Sequence, residues 1–575
     1  MRWLVSLVCL GAACTPPTPL RPSAGPVRIE RASARPSRHP PIRGGSLLVT
    51  RDGRRALVAD GGRDVIWIVD VATGLTVRDA LELEPGDEPW RMTEGDSGRA
   101  YVVLRGAGAL ATIDIATSAL VDRRQVCTEP RGVTWDSTAR RALVACAGGE
   151  VISASEGATE KLVSLAPDLR DIWIAGGRLS VSRFRSATSV DVSIGTGARP
   201  PTAQLPVAPT ISTQSATYEP TVAYRTVGDG RGGAWMLHQR QRETPFISER
   251  PFLYYGGSTN GSIIKPSLTY FMPSGVGQGI VLENGTLAVD VAPSVDGDRL
   301  AIAFAGRGGV QLIDSPDAPG RHLPRVLGDI EDRALSVGWS DDRVIAELGD
   351  PPRVAMYASR AGEMLALVPL GVPPAEDAGH ALFHRVTSTN TACASCHPEA
   401  GDDGFVWAFD AEAVRRTPAL LGGVTRTEPF HWDGEHANLT ELMHAVFTVR
   451  MGGARVTDYE VAEVGAWLDR QPVPRFEQDA ASARGQRIFE SAETECASCH
   501  SGPQLTDDRS HDVGTGGRFQ TPTLLGLRAR PPYFHDGRAA TVEDRLTICH
   551  TEGHGRIDHL DERERADLLA YLRSI

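Results

Sequence analysis

The sequence predicts a multidomain chain: an N-terminal all-β seven-bladed propeller followed by two tandem, small α-helical domains. Three observations carry this reading. Strand-and-turn units recur through residues 43–372. Two Cys-x-x-Cys-His motifs follow, each set in the same order of flanking segments. Each of those segments closes in an amphipathic helix. At 575 residues the chain is too long for one ordinary core. Its formal charge of −12 argues against a polyanion such as nucleic acid as partner.

The N-terminus reads as an export signal over residues 1–13. Arg2 gives a positive start, Trp3 to Leu10 a short apolar run, and Gly11-Ala12-Ala13 a small-residue stretch before Cys14. That run is too short to span a bilayer as a mature helix. The string LGAAC resembles a bacterial lipobox, which implies lipidation of Cys14, although Leu10 stands one place further from the cysteine than in the usual pattern. Ordinary cleavage after Ala13 is the alternative. Both readings place the protein outside the cytoplasm, in the periplasm or on the outer cell surface, with a lipid anchor as its one membrane attachment. Residues 14–42, rich in Pro, Arg and Ser, read as a flexible tether.

In residues 43–372 a polar turn precedes a short strand of small and β-branched residues, then a second strand and another turn. "RDGRRALVADGGRDVIWIVDVATG" and "GDSGRAYVVLRGAGALATIDIATS" are examples. Inner strands are expected to start near Arg55, Arg99, Arg141, Arg178, Gly232, Asp298 and Asp342, with the first three starts 44 and 42 residues apart. That is close to one four-stranded blade, and seven units make a propeller. The string TRDGRRALVADGGRDVIWIVDVATG resembles the YVTN-type seven-bladed propellers of bacterial surface and periplasmic proteins. A longer insertion, about Gln239 to Thr269, interrupts the fifth unit and is either a contact-making loop or decoration. The adjacent cysteines and Trp-docking repeats of quinone-binding propellers do not occur, so the propeller reads as a scaffold or interaction domain.

Cys393-Ala394-Ser395-Cys396-His397 and Cys496-Ala497-Ser498-Cys499-His500 are the strongest signal. Two thiols three positions apart suit addition to the two vinyl groups of one haem, and the adjacent histidine suits the proximal position on its iron. A zinc or disulfide reading leaves that histidine unexplained twice. The nine cysteines also leave Cys127, Cys146 and Cys549. An oxidising compartment permits a Cys127–Cys146 disulfide, and two buried thiols are the alternative. The motifs lie in a longer repeat. Gly379-x-x-Leu382-Phe383 answers to Gly485-x-x-Ile488-Phe489, TPALLG to TPTLLG, and PFHWDG to PYFHDG. Residues 373–476 and 477–575 therefore read as two cytochrome c-like domains, with two haem c as cofactors.

This order of features, over roughly residues 376–575, resembles the bacterial di-haem cytochrome c peroxidases and relatives that oxidise amino acids in partner proteins. The resemblance implies a pseudo-symmetric haem pair, in which one haem transfers electrons and the other can open a position for H₂O₂. It also implies a redox partner protein, as donor or substrate, and a calcium ion between the domains. Glu399, Asp402 and Asp403 are candidates to start that calcium site, or form a solvated loop.

The remaining axial ligands decide the chemistry. Superposing the repeats on Asp433-Gly434 and Asp536-Gly537 brings Met451 onto His554. The expected sets are His397/Met451 and His500/His554, with His550 as rival. A thioether raises the first haem's potential relative to a bis-histidine second haem. In the peroxidases the Cys549 position resembles that of a methionine ligand. His431 and His535 are candidates for hydrogen bonding to propionates or water, or for acid–base work over an opened iron. Trp407 and Trp432 are candidates for electron transfer between haems, or for core packing. A peroxidase-like oxidoreductase is the expected function. A non-enzymatic carrier and a redox-sensing binding protein are the alternatives.

Overall fold

The computed structural model describes residues 25–72, 74–192, 204–205, 211–212, 216–243, 262–272, 275–317, 324–349, 351–371, 377–408, 414–474, 476–552 and 554–575. Residues 1–13, Cys14, the 244–261 part of the blade 5 insertion, and the side chains of Cys549 and His550 lie outside the described residues.

Seven antiparallel sheets form the blades, over residues 47–82, 89–125, 130–164, 169–205, 211–281, 288–327 and 334–369. Each has four consecutive strands except the fifth, which has five. The segments expected as inner strands are instead the second strand of six blades, as in Arg55–Asp60, Arg99–Leu104 and Arg343–Leu348, and in blade 5 the start expected at Gly232 meets the third strand, Ala234–Arg242. A second strand is covered on both faces by neighbouring blades, so it reads as an almost continuous apolar run and gives the loudest sequence signal. The innermost strands carry polar side chains toward the axis, among them Arg91, Arg170, Asp171, Arg225 and Asp290. The ring closes by packing rather than strand exchange: Val58 and Trp67 of blade 1 share a core with Ile345, Val354 and Met356 of blade 7. Cys127 and Cys146 are joined as a disulfide between blades 2 and 3.

The expectation of a flexible tether over residues 14–42 does not hold for its described part. Gly25–Ala34 is a helix, with Ala32 buried against blade 1 and Arg28 and Arg35 paired to Asp79 and Glu82 on the blade's outer strand. Arginines spaced along one helical face supply here the order that apolar periodicity did not advertise. The chain then runs between propeller and haem modules, where Trp467 Nε1 donates to the His39 carbonyl (2.8 Å) and the Ile42 amide to His384 Nε2 (3.3 Å).

Each C-terminal module pairs an opening helix with a closing one, Ala378–Phe383 with Asp458–Asp469 and Ala480–Phe489 with Glu562–Leu572. The closing helices start at capping boxes, Thr457/Glu460 and Asp561/Glu564, which satisfy the first free amides. Gly379 and Gly485 mark the crossings: a Cβ on either would run into the backbone of the closing helix. A short hairpin in each module, Val406–Ala408 with Val414–Arg416 and Ser510–Asp512 with Arg518–Gln520, locks the pair together. The Arg416 amide donates to the His535 carbonyl (2.6 Å), and the Gln520 amide to the Trp432 carbonyl (2.7 Å), a reciprocal exchange across a pseudo-twofold.

The modules sit on the propeller. The Tyr224 hydroxyl donates to the Ala394 carbonyl between the two motif cysteines (3.3 Å), and Gln241 Nε2 to Asp403 (2.5 Å). Ile263 and Ile264, at the far end of the blade 5 insertion, pack with Phe405, Trp407 and Cys396. The insertion thus makes contacts within the chain. Trp407 is used in this packing, its Nε1 donating to Thr417.

Candidate functional site

In module 1, Cys393–Cys396 make one helical turn and His397 follows it. His397 Nδ1 donates to the Gly401 carbonyl (3.2 Å), which leaves Nε2 as the metal-facing nitrogen. Module 2 repeats the device, with His500 Nδ1 to the Leu505 carbonyl (3.1 Å). Burial pushes both imidazoles down to about 4, so both are neutral, as ligands must be. Burial also raises the thiols, Cys393 to about 12 and Cys396 and Cys496 upward. Such sites disfavour the anionic thiolates of a zinc centre and suit neutral thioethers. The donor set therefore fits covalently held haem at both motifs.

Module 2 brings its two expected axial ligands close together. The rings of His500 and His554 have centroids 6.2 Å apart and planes within 24°. Two imidazoles each bound about 2 Å from one metal have centroids about 6 Å apart. Both rings line a cleft of about 330 Å³ with Cys496, Cys499, Leu524, Leu546 and Leu568. Burial, then Arg545 and His500, lowers His554 to about 2. Arg545 Nη2 lies 2.8 Å from His554 Nδ1 and 3.0 Å from Nε2, and the guanidinium caps the Phe534 ring. The sequence reading missed Arg545. Its place on the helix Val542–Glu552 and in the cleft wall suits it to an anionic propionate.

In module 1, Met451 is buried in one cluster with Cys393, Ala394, Met443 and Phe447. It follows a π-helical turn, His444–Arg450, and its carbonyl accepts from Thr389 (2.9 Å). Such turns are frequent at functional sites. His431 Nδ1 donates to Glu435 Oε1 (2.7 Å), and that bond first of all holds Glu435 down at about 2. His436 packs edge-on against His431, and Arg450 lies 3.6 Å from the same carboxylate. His431, Glu435 and His436 offer ligand atoms within 4.8 Å of one another, but Arg450 already supplies their cation. His431 is near enough to His397 to depress its basicity further. His535 instead stacks on Phe519 at 3.9 Å, with Trp432 6.3 Å away, and burial lowers it. Trp432 reaches into the module 2 cleft, and its Nε1 donates to the Arg416 carbonyl (2.7 Å).

The three acidic residues proposed for calcium do not converge. Glu399 enters a buried arginine group of the propeller. Burial opposes its charge, but Arg170, Arg105, Arg43 and Arg131 hold it far below the usual carboxylate range. Asp402, likewise buried, is held below its usual range by Arg416 and Arg185. Asp403 accepts from Gln241 and the Phe405 amide and is pushed up to about 7 by burial. Guanidinium groups from other parts of the chain, invisible to local sequence, take the place of the expected cation.

A family model described as Cytochrome c matches residues 482–575. Those residues are a cytochrome c domain. The chain is 27% identical over 254 residues to hydrazine synthase subunit gamma of Kuenenia stuttgartiensis, covering 32% of this chain and 72% of that protein. It is 28% identical over 271 residues to methylamine utilization protein MauG of Methylorubrum extorquens, covering 34% and 76% respectively. Among solved structures, a chain of Kuenenia stuttgartiensis hydrazine synthase is 14% identical over 57% of this chain and 96% of its own, with a TM-score of 0.38. The cytochrome c domain brings haem binding and electron transfer, and the chain's homologues include MauG and the hydrazine synthase gamma subunit.

Proposed function

We propose that this chain is an exported di-haem c-type cytochrome, a peroxidase-like oxidoreductase that takes electrons from a partner protein and reduces H₂O₂ to water. The observation that carries it is the unequal surroundings of two matching Cys-x-x-Cys-His sites. In module 2 the His500 and His554 rings lie 6.2 Å apart, a separation that supports the reading of a closed electron-transfer centre. Module 1 has Met451 as its expected thioether, with Met443 in the same cluster, and a polar group of His431, Glu435 and Arg450 close by. When bound, haem c supplies a ferric/ferrous couple at each site and, where an axial position opens, a binding place for peroxide.

The residues divide the work accordingly. His500 and His554 hold the module 2 position at both faces, and Arg545 balances its acidic edge. Trp432 spans the interface into the module 2 cleft and offers an aromatic path between modules. His431, whose Nδ1 proton is committed to Glu435, keeps Nε2 to accept and return a proton. The propeller is proposed to dock the redox partner through surface not covered by the modules. The N-terminal string supports export, with Cys14 as the proposed lipid attachment. The second reading is a carrier or redox sensor with both irons closed, favoured by the burial of Met451.

Low-temperature EPR of the oxidised and half-reduced protein separates these readings. A high-spin ferric signal in either state, with turnover of H₂O₂, is expected. Low-spin signals alone in both states would sink the peroxidase reading and leave the carrier or sensor. His554→Ala is expected to abolish the bis-histidine signal and His550→Ala to keep it. The reverse result would move the ligand to His550.

A further inference from the structure

The turn after His397 bends as its counterpart in module 2 does, left-handed two residues beyond the histidine (Glu399 and Gly502), but it carries a carboxylate where module 2 has glycine. Glu399 and Ala400 both hold left-handed backbone, at φ +57° and +62°. Non-glycine residues rarely adopt it, because it crowds Cβ against the backbone. What holds the turn is the propeller. The Glu399 side chain is 6% exposed and pairs with Arg170, which is fully buried, with Arg43 at 3.4 Å and with Arg105 at 3.5 Å. Arg105 has a second carboxylate in Glu129, at 2.6 Å. Among the described residues, Arg43 and Arg170 have no ion-pair partner besides Glu399. Arg170 is itself fixed, lying over the Trp90 and Phe184 rings and donating to the Arg43 and Tyr224 carbonyls.

The propeller thus carries two buried cations whose carboxylate comes from the haem module, two residues beyond the proximal histidine. The same turn ends at Gly401, whose carbonyl receives the His397 Nδ1 proton. In module 2 the turn after His500 reaches module 1 instead, where Gln504 Nε2 donates to the Gly422 carbonyl (3.2 Å). The two haem sites, alike in sequence, therefore differ in what lies behind their proximal ligands.

We propose that Glu399 is a positioning residue through which the propeller sets the reduction potential of the module 1 haem, leaving that of module 2 unaffected. This rests on haem c being bound at both motifs. Fixed charge next to a low-dielectric site acts strongly on a redox couple, because reduction adds one electron there. Glu399 opposes that added charge and Arg43 favours it. Glu399 also ties down the carbonyl that orients His397.

The test is spectroelectrochemical titration of the intact holo-protein, with haem first counted as pyridine haemochrome. The two waves are assigned with a Cys393→Ala/Cys396→Ala variant. Glu399→Gln is expected to raise the module 1 midpoint and Arg43→Gln to lower it, each with the module 2 wave in place. Opposite signs mark the electrostatic role, since mere loosening of the turn would move both variants the same way. Should Glu399→Gln fail to accumulate, the downward shift in Arg43→Gln carries the decision alone. Two haems with unmoved waves, shifts of one sign, or equal shifts in both haems overturn the proposal. Fewer than two haems in the unmodified protein overturns the di-haem reading beneath it.

Discussion

Glu347 lies on the second strand of blade 7, 6% exposed, and Ser46 donates to its carboxyl group. Among the described residues no cation pairs with it as arginines pair with Glu399. Burial, with the fields of Asp60 and Asp290, raises it from about 4.5 to about 8 despite the Ser46 bond. At neutral pH the folded protein therefore keeps a proton that the unfolded chain has released. Stability from this group is complete below about 4.5, falls as pH rises toward 8, and is level above it. The amplitude is of order a few kcal/mol, at about 1.4 kcal/mol per pH unit. Glu347→Gln is expected to be more thermostable than the parent at pH 8 and equal to it at pH 5, by calorimetry or circular dichroism. Equal melting at both pH values would show that Glu347 is ionised in the fold. The segment RVIAEL reads as a buried strand in sequence, but the absence of a cation beside its one acid does not, because the neighbours come from blade 6 and the N-terminal segment.

At the scale of elements, the repeated Gly-x-x-Leu/Ile-Phe motif shows how local and non-local information divide. Its recurrence, with that of Cys-x-x-Cys-His and the segments after it, marked two modules, and the helical spacing of DYEVAEVGAWLDR and DERERADLLAYLRS marked the closing helices. The reason for glycine appears only at the crossing, where Gly379 faces Glu463 and Gly485 faces Asp567 across two helix backbones. The cost falls on packing, since both glycines sit inside ordinary helices. Adding one methyl forces the helices apart, at about 1–3 kcal/mol for a core of native density, or more where backbone is struck. Gly485→Ala and Gly379→Ala are each expected to lower the urea midpoint and loosen the haem in the affected module, read from its absorbance band. An unchanged midpoint for both would mean that the crossings have slack. The blades were legible for the same reason as the helices: strand alternation, turn residues and spacing are all local. The short hairpins that lock the modules were not, because three-residue strands such as Val406–Ala408 carry no period. Nor was the helix Gly25–Ala34, which is held by ion pairs to another element.

For the molecule as a whole, three bodies meet at one carboxylate. Asp402 Oδ1 accepts from Arg185 of blade 4 (3.0 Å) and from Arg416 of module 1 (2.8 Å). Arg416 in turn donates to the Arg530 carbonyl of module 2 (2.9 Å). Asp402 is 3% exposed, and both paired guanidiniums are buried. Replacing such a group by a neutral isostere leaves Arg416 without its counter-ion and Arg185 with Asp168 alone. That typically costs about 3–5 kcal/mol, more than an all-apolar replacement of the whole cluster would. Its lowered pKa sets the sign with pH: the stabilisation is present above the ordinary carboxylate value of 3.8 and fades as pH falls through the folded value. Asp402→Asn is therefore expected to lower the urea midpoint at pH 7 and to converge on the parent in strong acid. It should also separate two signals that coincide in the parent: far-ultraviolet circular dichroism, dominated by the propeller, and the haem band of the modules. If the midpoint falls while the signals stay coincident, Asp402 stabilises the fold without coupling its parts. If neither changes, the seam between propeller and module 1 is held by the apolar contacts around Leu382, Phe383 and Val289. The predicted result, a lower midpoint with parted signals, makes the propeller and the haem pair one cooperative body joined through buried charge.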